Sequence, residues 1–308
     1  MQAGTSNFNF MKYRRVAMTV SAIVSVISIL SVLLLGMNYG IDFTGGIVVE
    51  VAYSSEANLN EIRSDLEAAG IQEARVQTIG TLSNVVIRLP PPRDSSSLAE
   101  TRDRILGVLG ARHPDVSPRG VDVVSPQVGE DLAESSGLAL LIALGMIFLY
   151  VMIRFRWKLA VGAIVATVHD IVVVVGAFSV FRWQFDLTVL GSVLAVLGWS
   201  LNDTVVLYDR IRDNFRSMRR GDPVVIVNTS VNQTLSRTLV TGLTTLLVVV
   251  VLFLLGGQSL WGFSVALIIG IIVGTYSSIY IASAMALLLQ VAPADLVAVK
   301  AERVDESP

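Results

Sequence analysis

The chain has 308 residues, of which 53% are hydrophobic and 16% charged, with a formal net charge of -2 and a mean hydropathy of +0.67. A chain this apolar has lipid as its main solvent, and it lacks the basic surface that binding DNA or RNA requires. With no cysteine and two histidines, disulfides, thiolate metal sites, cysteine nucleophiles and multi-histidine metal centres are excluded.

A hydrocarbon core of about 30 Å takes about 20 apolar helical residues. Six runs qualify, near 16–36, 135–153, 159–181, 187–207, 238–256 and 261–290. The first has no clear cleavage site before Asn38 and Tyr39, so it reads as a retained anchor rather than a removable leader. Lys12, Arg14 and Arg15 precede it, Arg154, Arg156 and Lys158 separate the second run from the third, and Arg210, Arg212, Arg216, Arg219 and Arg220 follow the fourth. The short turns on the opposite side carry only Arg182. Positive charge accumulates on the cytoplasmic side, which places both termini there and the segment between the first two spans outside.

That outer segment, 37–134, alternates strand and helix signals. IVVEVAY (47–53) is a strand, and 58–70 is a helix with Asn58 as cap and Gly70 as stop. Residues 74–80 and 84–90 are strands joined by a turn at Leu82 and Ser83. Residues 97–112 form a second helix with Ser97 and Glu100 as a capping box, and 120–128 is a last strand. The βαββαβ order predicts a ferredoxin-like α+β domain, a four-stranded antiparallel sheet with both helices on one face. His113, followed by Pro114 after the second helix, reads as a solvated loop residue, and nothing around it forms a catalytic constellation. The domain is therefore expected to bind or couple rather than catalyse. The chain divides into a cytoplasmic N-terminus with the first span (1–36), the outer domain (37–134), five further spans (135–290) and a short charged tail (291–308).

At the junction of anchor and domain, GMNYGIDFTGG places Gly40, Gly45 and Gly46 around Asp42 where helix must become strand. Glycine permits positive φ and close backbone approach, which serves a simple turn or a hinge equally well.

Two ionisable residues lie inside apolar spans, Asp203 in the fourth and Arg237 leading into the fifth. A charge in hydrocarbon costs about 2.5–3.5 kcal/mol on insertion scales, so it persists where it faces a partner or a polar pathway. Counted from the ends of their spans the two lie at matching depth, so they are placed to meet across neighbouring helices. An arginine alongside keeps a carboxylate ionised, and its loss in an apolar setting favours proton uptake. Because arginine stays protonated, Asp203 is the natural proton carrier and Arg237 the charge that gates it. Gln233 and Thr241 stand four residues to either side of Arg237 on one helix face. A threonine in a membrane helix also commonly bonds its own backbone, and Asn202 suits an interhelical hydrogen bond as well as a relay. His169 and Asp170 sit mid-span in the third helix, about 100° apart, as further relay candidates or as packing residues.

Residues 209–220 space Ile211, Phe215 and Met218 among arginines as an interfacial amphipathic helix does. Small residues, Gly191, Ser192, Ala195 and Gly198 on the fourth span and Gly262, Gly270, Gly274, Ser278 and Ala282 on the sixth, permit close helix approach.

GIDFTGG after the first span, GWSLNDTVVLYDRIRDNF at the end of the fourth and VNQTLSRTLVTGLTTL leading into the fifth resemble the signature segments of the SecF family. That family supplies the smaller membrane subunit of the bacterial SecD–SecF accessory complex of protein export, within the resistance-nodulation-division superfamily. The resemblance runs from Met11 to about Gln290. It implies a multi-pass protein of the bacterial inner membrane that works with SecD and the SecYEG channel, coupling proton movement to late steps of preprotein translocation. It also assigns Asp203, Arg237 and Thr241 to the proton path, with His169 and Asp170 behind them, and implies no cofactor and no metal. A non-conducting scaffold subunit and a superfamily exporter of lipids or small molecules are the alternatives. An ATP-driven enzyme is disfavoured because no G-x-x-x-x-G-K-[ST] loop occurs in the chain.

Overall fold

The computed structural model describes residues 8–71, 74–79, 81–91, 98–113, 115–155, 157–218, 221–257 and 260–291. A 3-10 turn (Phe10–Tyr13) leads into α1 (Arg14–Leu35), followed by a short strand β1 (Asn38–Tyr39) and a one-turn helix α2 (Ile41–Thr44). The α+β domain contains β2 (Gly46–Ala52), α3 (Leu59–Ala68), β3 (Arg75–Ile79), β4 (Thr81–Leu89), α4 (Leu98–Arg112) and β5 (Ser117–Val124). Then come α5 (Pro126–Arg154), α6 (Trp157–Val180), β6 (Gln184–Phe185), α7 (Leu187–Ser217) and α8 (Pro223–Leu255). The last span is interrupted: α9 (Trp261–Ser277) passes through a π turn (Ser278–Ala282) into α10 (Ser283–Leu288). Among the described residues, six helical segments are long and apolar enough to cross a membrane.

The sheet order is β3-β4-β2-β5 with every neighbouring pair antiparallel, the expected ferredoxin-like arrangement. Period-two alternation puts Ile47, Val49 and Val51 of β2 and Val85, Ile87 and Leu89 of β4 on one face, where they meet Ile62 and Leu66 of α3 and Ile105 and Leu109 of α4. Asn58 caps α3 by accepting from the Asn60 and Glu61 amides, and Gly70 takes the positive φ of 77° that ends it. Leu82 and Ser83, expected as a turn, lie inside β4. Ser97 and the tail from 292 onward lie outside the described residues. The last strand runs 117–124 rather than 120–128, because Ser125 caps the next helix and Pro126 occupies its first turn. His113 is not the solvated residue expected. The end of α4 lies over α3, so His113 sets Nε2 3.1 Å from Asp65 Oδ2 and packs edge-on against Tyr53, while Arg112 pairs with the same Asp65.

In the bundle, α9 supplies the close approaches. A Cβ on Gly262 would lie 2.8 Å from Val189, one on Gly270 2.2 Å from Val196 and one on Gly274 3.2 Å from Ser200, so α7 and α9 interlock along their length. Gly191 and Gly198 have open space around them and, with Ala195 and Asn202, form an exposed small-residue strip on the other side of α7. Ser28 of α1 fills the space at Gly176 of α6, and Ser31 bonds Ser179 at 2.8 Å. The expected interfacial helix at 209–220 is instead the continuation of α7. Its apolar face, Ile211 and Phe215, is buried against Ile226 and Val227 of α8 rather than turned to lipid. Arg219 and Arg220 lie outside the described residues.

The glycine-rich junction is a packed turn. Gly45 and Gly46 have φ of 71° and 135°, and a Cβ on Gly45 would stand 2.8 Å from the Pro126 backbone at the start of α5. A Cβ on Gly129 of α5 would in turn stand 2.9 Å from the Gly45 nitrogen and the Phe43 carbonyl oxygen. The Gly40 amide donates to Phe185, β1 pairs with β6, and Asp42 Oδ2 accepts from the Leu187 amide at 2.9 Å. One loop thus grips the first turns of both α5 and α7. Gly45→Ala is expected to lower the unfolding midpoint, at a cost of about 1–3 kcal/mol, because a left-handed backbone and a steric clash coincide. Gly107→Ala, inside α4 with open space around it, should instead raise stability by about 0.5–1 kcal/mol. Thermal unfolding in detergent checks both. Asp42→Ala should cost about 1 kcal/mol by removing an acceptor and a negative charge from a helix N-terminus. It should speed hydrogen exchange in the first turn of α7, whereas Asp42→Asn, which retains an acceptor, recovers most of the loss.

Candidate functional site

Two apolar cores fill the bundle. One joins Phe178, Phe185, Val189 and Val193 near the α+β domain, and the other joins Phe155, Tyr208, Ile211 and Ile226 at the far end. Between them lies a buried polar layer: Thr167 and Asp170 of α6, Ser200, Asp203 and Thr204 of α7, and Ser277 of α9. Ser200, Asp203 and Thr204 share the inward face of α7 by their three- and four-residue spacing. The π turn begins directly after Ser277, so the backbone ladder of the last span is irregular at the level of this layer.

Asp170 is fully engaged. Its Oδ2 accepts from Ser200 Oγ at 2.6 Å and from Ser277 Oγ at 2.8 Å, and Oδ1 lies 3.1 Å from His169 Nδ1. A carboxylate bonded from three helical positions ties α6, α7 and α9 together, and its desolvation is offset by charge-assisted hydrogen bonds.

Asp203 is the opposite case. It is 5% exposed, and its Oδ2 is buried with no hydrogen-bond partner. Arg237, on the neighbouring α8, is exposed, and no ion pair joins it to Asp203 among the described residues. Thr241 Oγ1 donates to the carbonyls of Arg237 and Thr238, bonding its own helix. Gln233 does not line a path with Arg237; its Oε1 accepts from Arg210 Nε at 2.6 Å and Asn214 Nδ2 at 2.8 Å, where the extended ends of α7 and α8 meet. Asn202 is exposed on the small-residue strip, turned from Asp203. Asp42 and the junction glycines sit near the start of α7, 16 residues before Asp203, and touch none of these side chains. Among the described residues no three metal-binding side chains converge.

The residues missing from the sequence reading are Ser200 and Ser277, which decide the state of Asp170. The signal for Ser200 was its spacing of three from Asp203 on one helix face; Ser277 gave none, because its role depends on how α9 packs. What the layer offers is one carboxylate already bonded and one with a buried oxygen left without a partner.

Comparison with known proteins places these features in a family. Residues 108–292 match the model for the C-terminal part of the protein-export membrane proteins SecD/SecF, and residues 31–57 match the SecD/SecF GG motif. The chain is 46% identical over 281 residues to the protein translocase subunit SecF of Vibrio alginolyticus, covering 91% of this chain and 89% of that one. It is 44% identical over the full length of both chains to the SecF subunit of Pseudomonas aeruginosa. The crystal structure of SecDF from Thermus thermophilus, a translocon-associated membrane protein, superposes with a TM-score of 0.84 at 34% identity. SecDF in a super-membrane-facing form superposes with 0.71 at 35%. Each match takes in 94% of this chain and 40% of the SecDF chain, so this protein spans less than half of the solved structures. A chain with this glycine motif, six membrane helices and a ferredoxin-like domain after the first belongs to the SecD/SecF protein-export family, as a SecF subunit.

Proposed function

We propose that this SecF chain is one half of a proton-driven accessory motor which, with SecD, promotes late steps of preprotein translocation through the SecYEG channel. It lies in the bacterial inner membrane with both termini cytoplasmic. The observation that carries the proposal is the contrast within the polar layer: Asp170 has all its partners and Asp203 has an orphaned oxygen. Packing alone explains the first and not the second.

The cycle turns on the distance between Asp203 and Arg237. With the guanidinium close, the carboxylate is held ionised; with it withdrawn, the apolar surroundings favour protonation. One charge falling through 100 mV releases about 2.3 kcal/mol, enough to shift a two-state equilibrium about fiftyfold. The stroke leaves through α7, because the helix that carries Asp203 is gripped at its first turn by Asp42 and Gly40. The exposed strip of Gly191, Ala195, Gly198 and Asn202 and the exposed Arg237 give SecD helices a surface to pack against. Thr241, whose Oγ1 bonds the Arg237 carbonyl one turn back, stands beside the gating arginine on the same helix.

Asp203→Asn is expected to abolish the fraction of export completion stimulated by the proton-motive force in vesicles carrying this chain and SecD, while leaving its unfolding midpoint within about 0.5 kcal/mol of wild type. Asp170→Asn, which disturbs a satisfied buried network, should cost about 1–3 kcal/mol of stability. Unchanged stimulated export in Asp203→Asn, with the complex intact, would favour the non-conducting scaffold.

A further inference from the structure

The face of the sheet not covered by α3 and α4 overhangs a cleft of about 950 Å³, walled by β3 and β4 above and by the α6–α7 turn and the start of α9 below. Its upper wall carries Arg75 and Arg88, directly opposite each other in the β3–β4 register, a like-charge pair that repels unless an anion lies between them. Arg88 has a buried Nε with no hydrogen-bond partner among the described residues, and its Nη1 donates to Gln77 Oε1 at 3.3 Å. Burial pushes the Arg88 guanidinium below its ordinary value, against the pull of Asp186 and Glu50, and Arg75 pushes the same way. Arg182 stands on the lower wall, held by its bonds to the carbonyls of Leu35 and Gly36 at the end of α1. The one carboxylate in the lining among the described residues, Asp186, accepts from Thr188 Oγ1 and the Val189 amide through Oδ1, and its charge also acts on Arg88.

The cleft therefore sets three cations against one carboxylate, an excess of positive charge. Its height in the membrane follows from the spans: α1 and α6 end beside it and α7 and α9 begin there. Trp183 and Trp261, stacked edge-on at 5.4 Å, share its floor, the position tryptophan takes at a membrane–water boundary. Below Arg182 the ends of α1 and α6 turn Leu34, Leu35 and Phe181 outward, 79%, 56% and 60% exposed. A soluble anion explains the arginines alone; a molecule with a phosphate and acyl chains explains the arginines, the tryptophans and the apolar strip together.

We infer that this cleft binds the headgroup of an anionic membrane phospholipid, with its phosphate between Arg88 and Arg75 and its acyl chains along the exposed ends of α1 and α6. A lipid seated there would bridge the α+β domain and the span ends. The test uses the full chain with its SecD partner in detergent, titrated with phosphatidylglycerol and followed by native mass spectrometry. Arg88→Gln and Arg75→Gln are compared with wild type and with Arg102→Gln, a surface change on α4 outside the cleft. The expected result is an affinity reduced about tenfold in each cleft variant, the loss of one charge-assisted hydrogen bond, with Arg102→Gln unchanged. Inorganic phosphate and a soluble acidic peptide should fail to displace the lipid. Equal lipid affinity in wild type and both cleft variants overturns the inference, as does displacement by phosphate or by the peptide. Arg75 is exposed on an edge strand, so its variant remains informative if Arg88→Gln does not fold.

Discussion

A carboxylate in the middle of a lipid-solvated bundle has to be bonded on all sides or left able to take a proton, and much of this protein follows from meeting that constraint twice in one layer. At Asp170 three neighbours converge, and α6, α7 and α9 are locked by it. At Asp203, one turn further along α7 from Ser200, no such donors arrive. The two aspartates differ little in depth or burial. They differ in whether a neighbouring helix places a hydroxyl in reach, which makes serine placement the quantity that separates a fully bonded carboxylate from one left with an unpartnered oxygen. The glycines of α9 matter for the same reason, since only their close approach to α7 brings Ser277 to Asp170.

The α+β domain is joined to the bundle at several points. The chain enters it through α2 and leaves it through α5, and these two are packed against each other at Gly45 and Gly129. Beside them β1 pairs with β6 and Asp42 bonds the first turn of α7. A domain held this way cannot swing on a single flexible linker. Any movement that keeps these contacts carries the starts of α5 and α7 with it, and any movement that breaks them exposes backbone groups now paired.

Much of this was legible beforehand, for identifiable reasons. Spans are set by length and hydropathy, and the ferredoxin-like domain by period-two strands, Asn58 and Gly70, all of them local signals. The three glycines around Asp42 were visible as a turn, but not their grip on Pro126 and Asp186, which depends on elements more than 80 residues away. His113 was misjudged because a loop position says nothing about the Asp65 and Tyr53 that another helix and strand bring to it. Gln233 was placed on the same helix face as Arg237 correctly by spacing, yet its partner Arg210 belongs to an α7 extended beyond the membrane, where an amphipathic pattern suggested a separate surface helix. In each case the missing information was which side chains a second element delivers.

The continuity of α7 has a mechanical meaning. As one helix of 31 residues it is about 46 Å long. Its distal end is pinned by the Arg154–Asp209–Arg212 pairs and by Asn214 against Ser230 and Gln233. Treated as a rod turning about Asp209, it places the Asp42 contact about 33 Å from the fulcrum and Asp203 about 9 Å from it. A tilt therefore moves Asp203 by roughly a quarter of the distance it moves the junction. The geometry is that of a rod whose junction end moves about four times as far as the level of Asp203 for any tilt about Asp209.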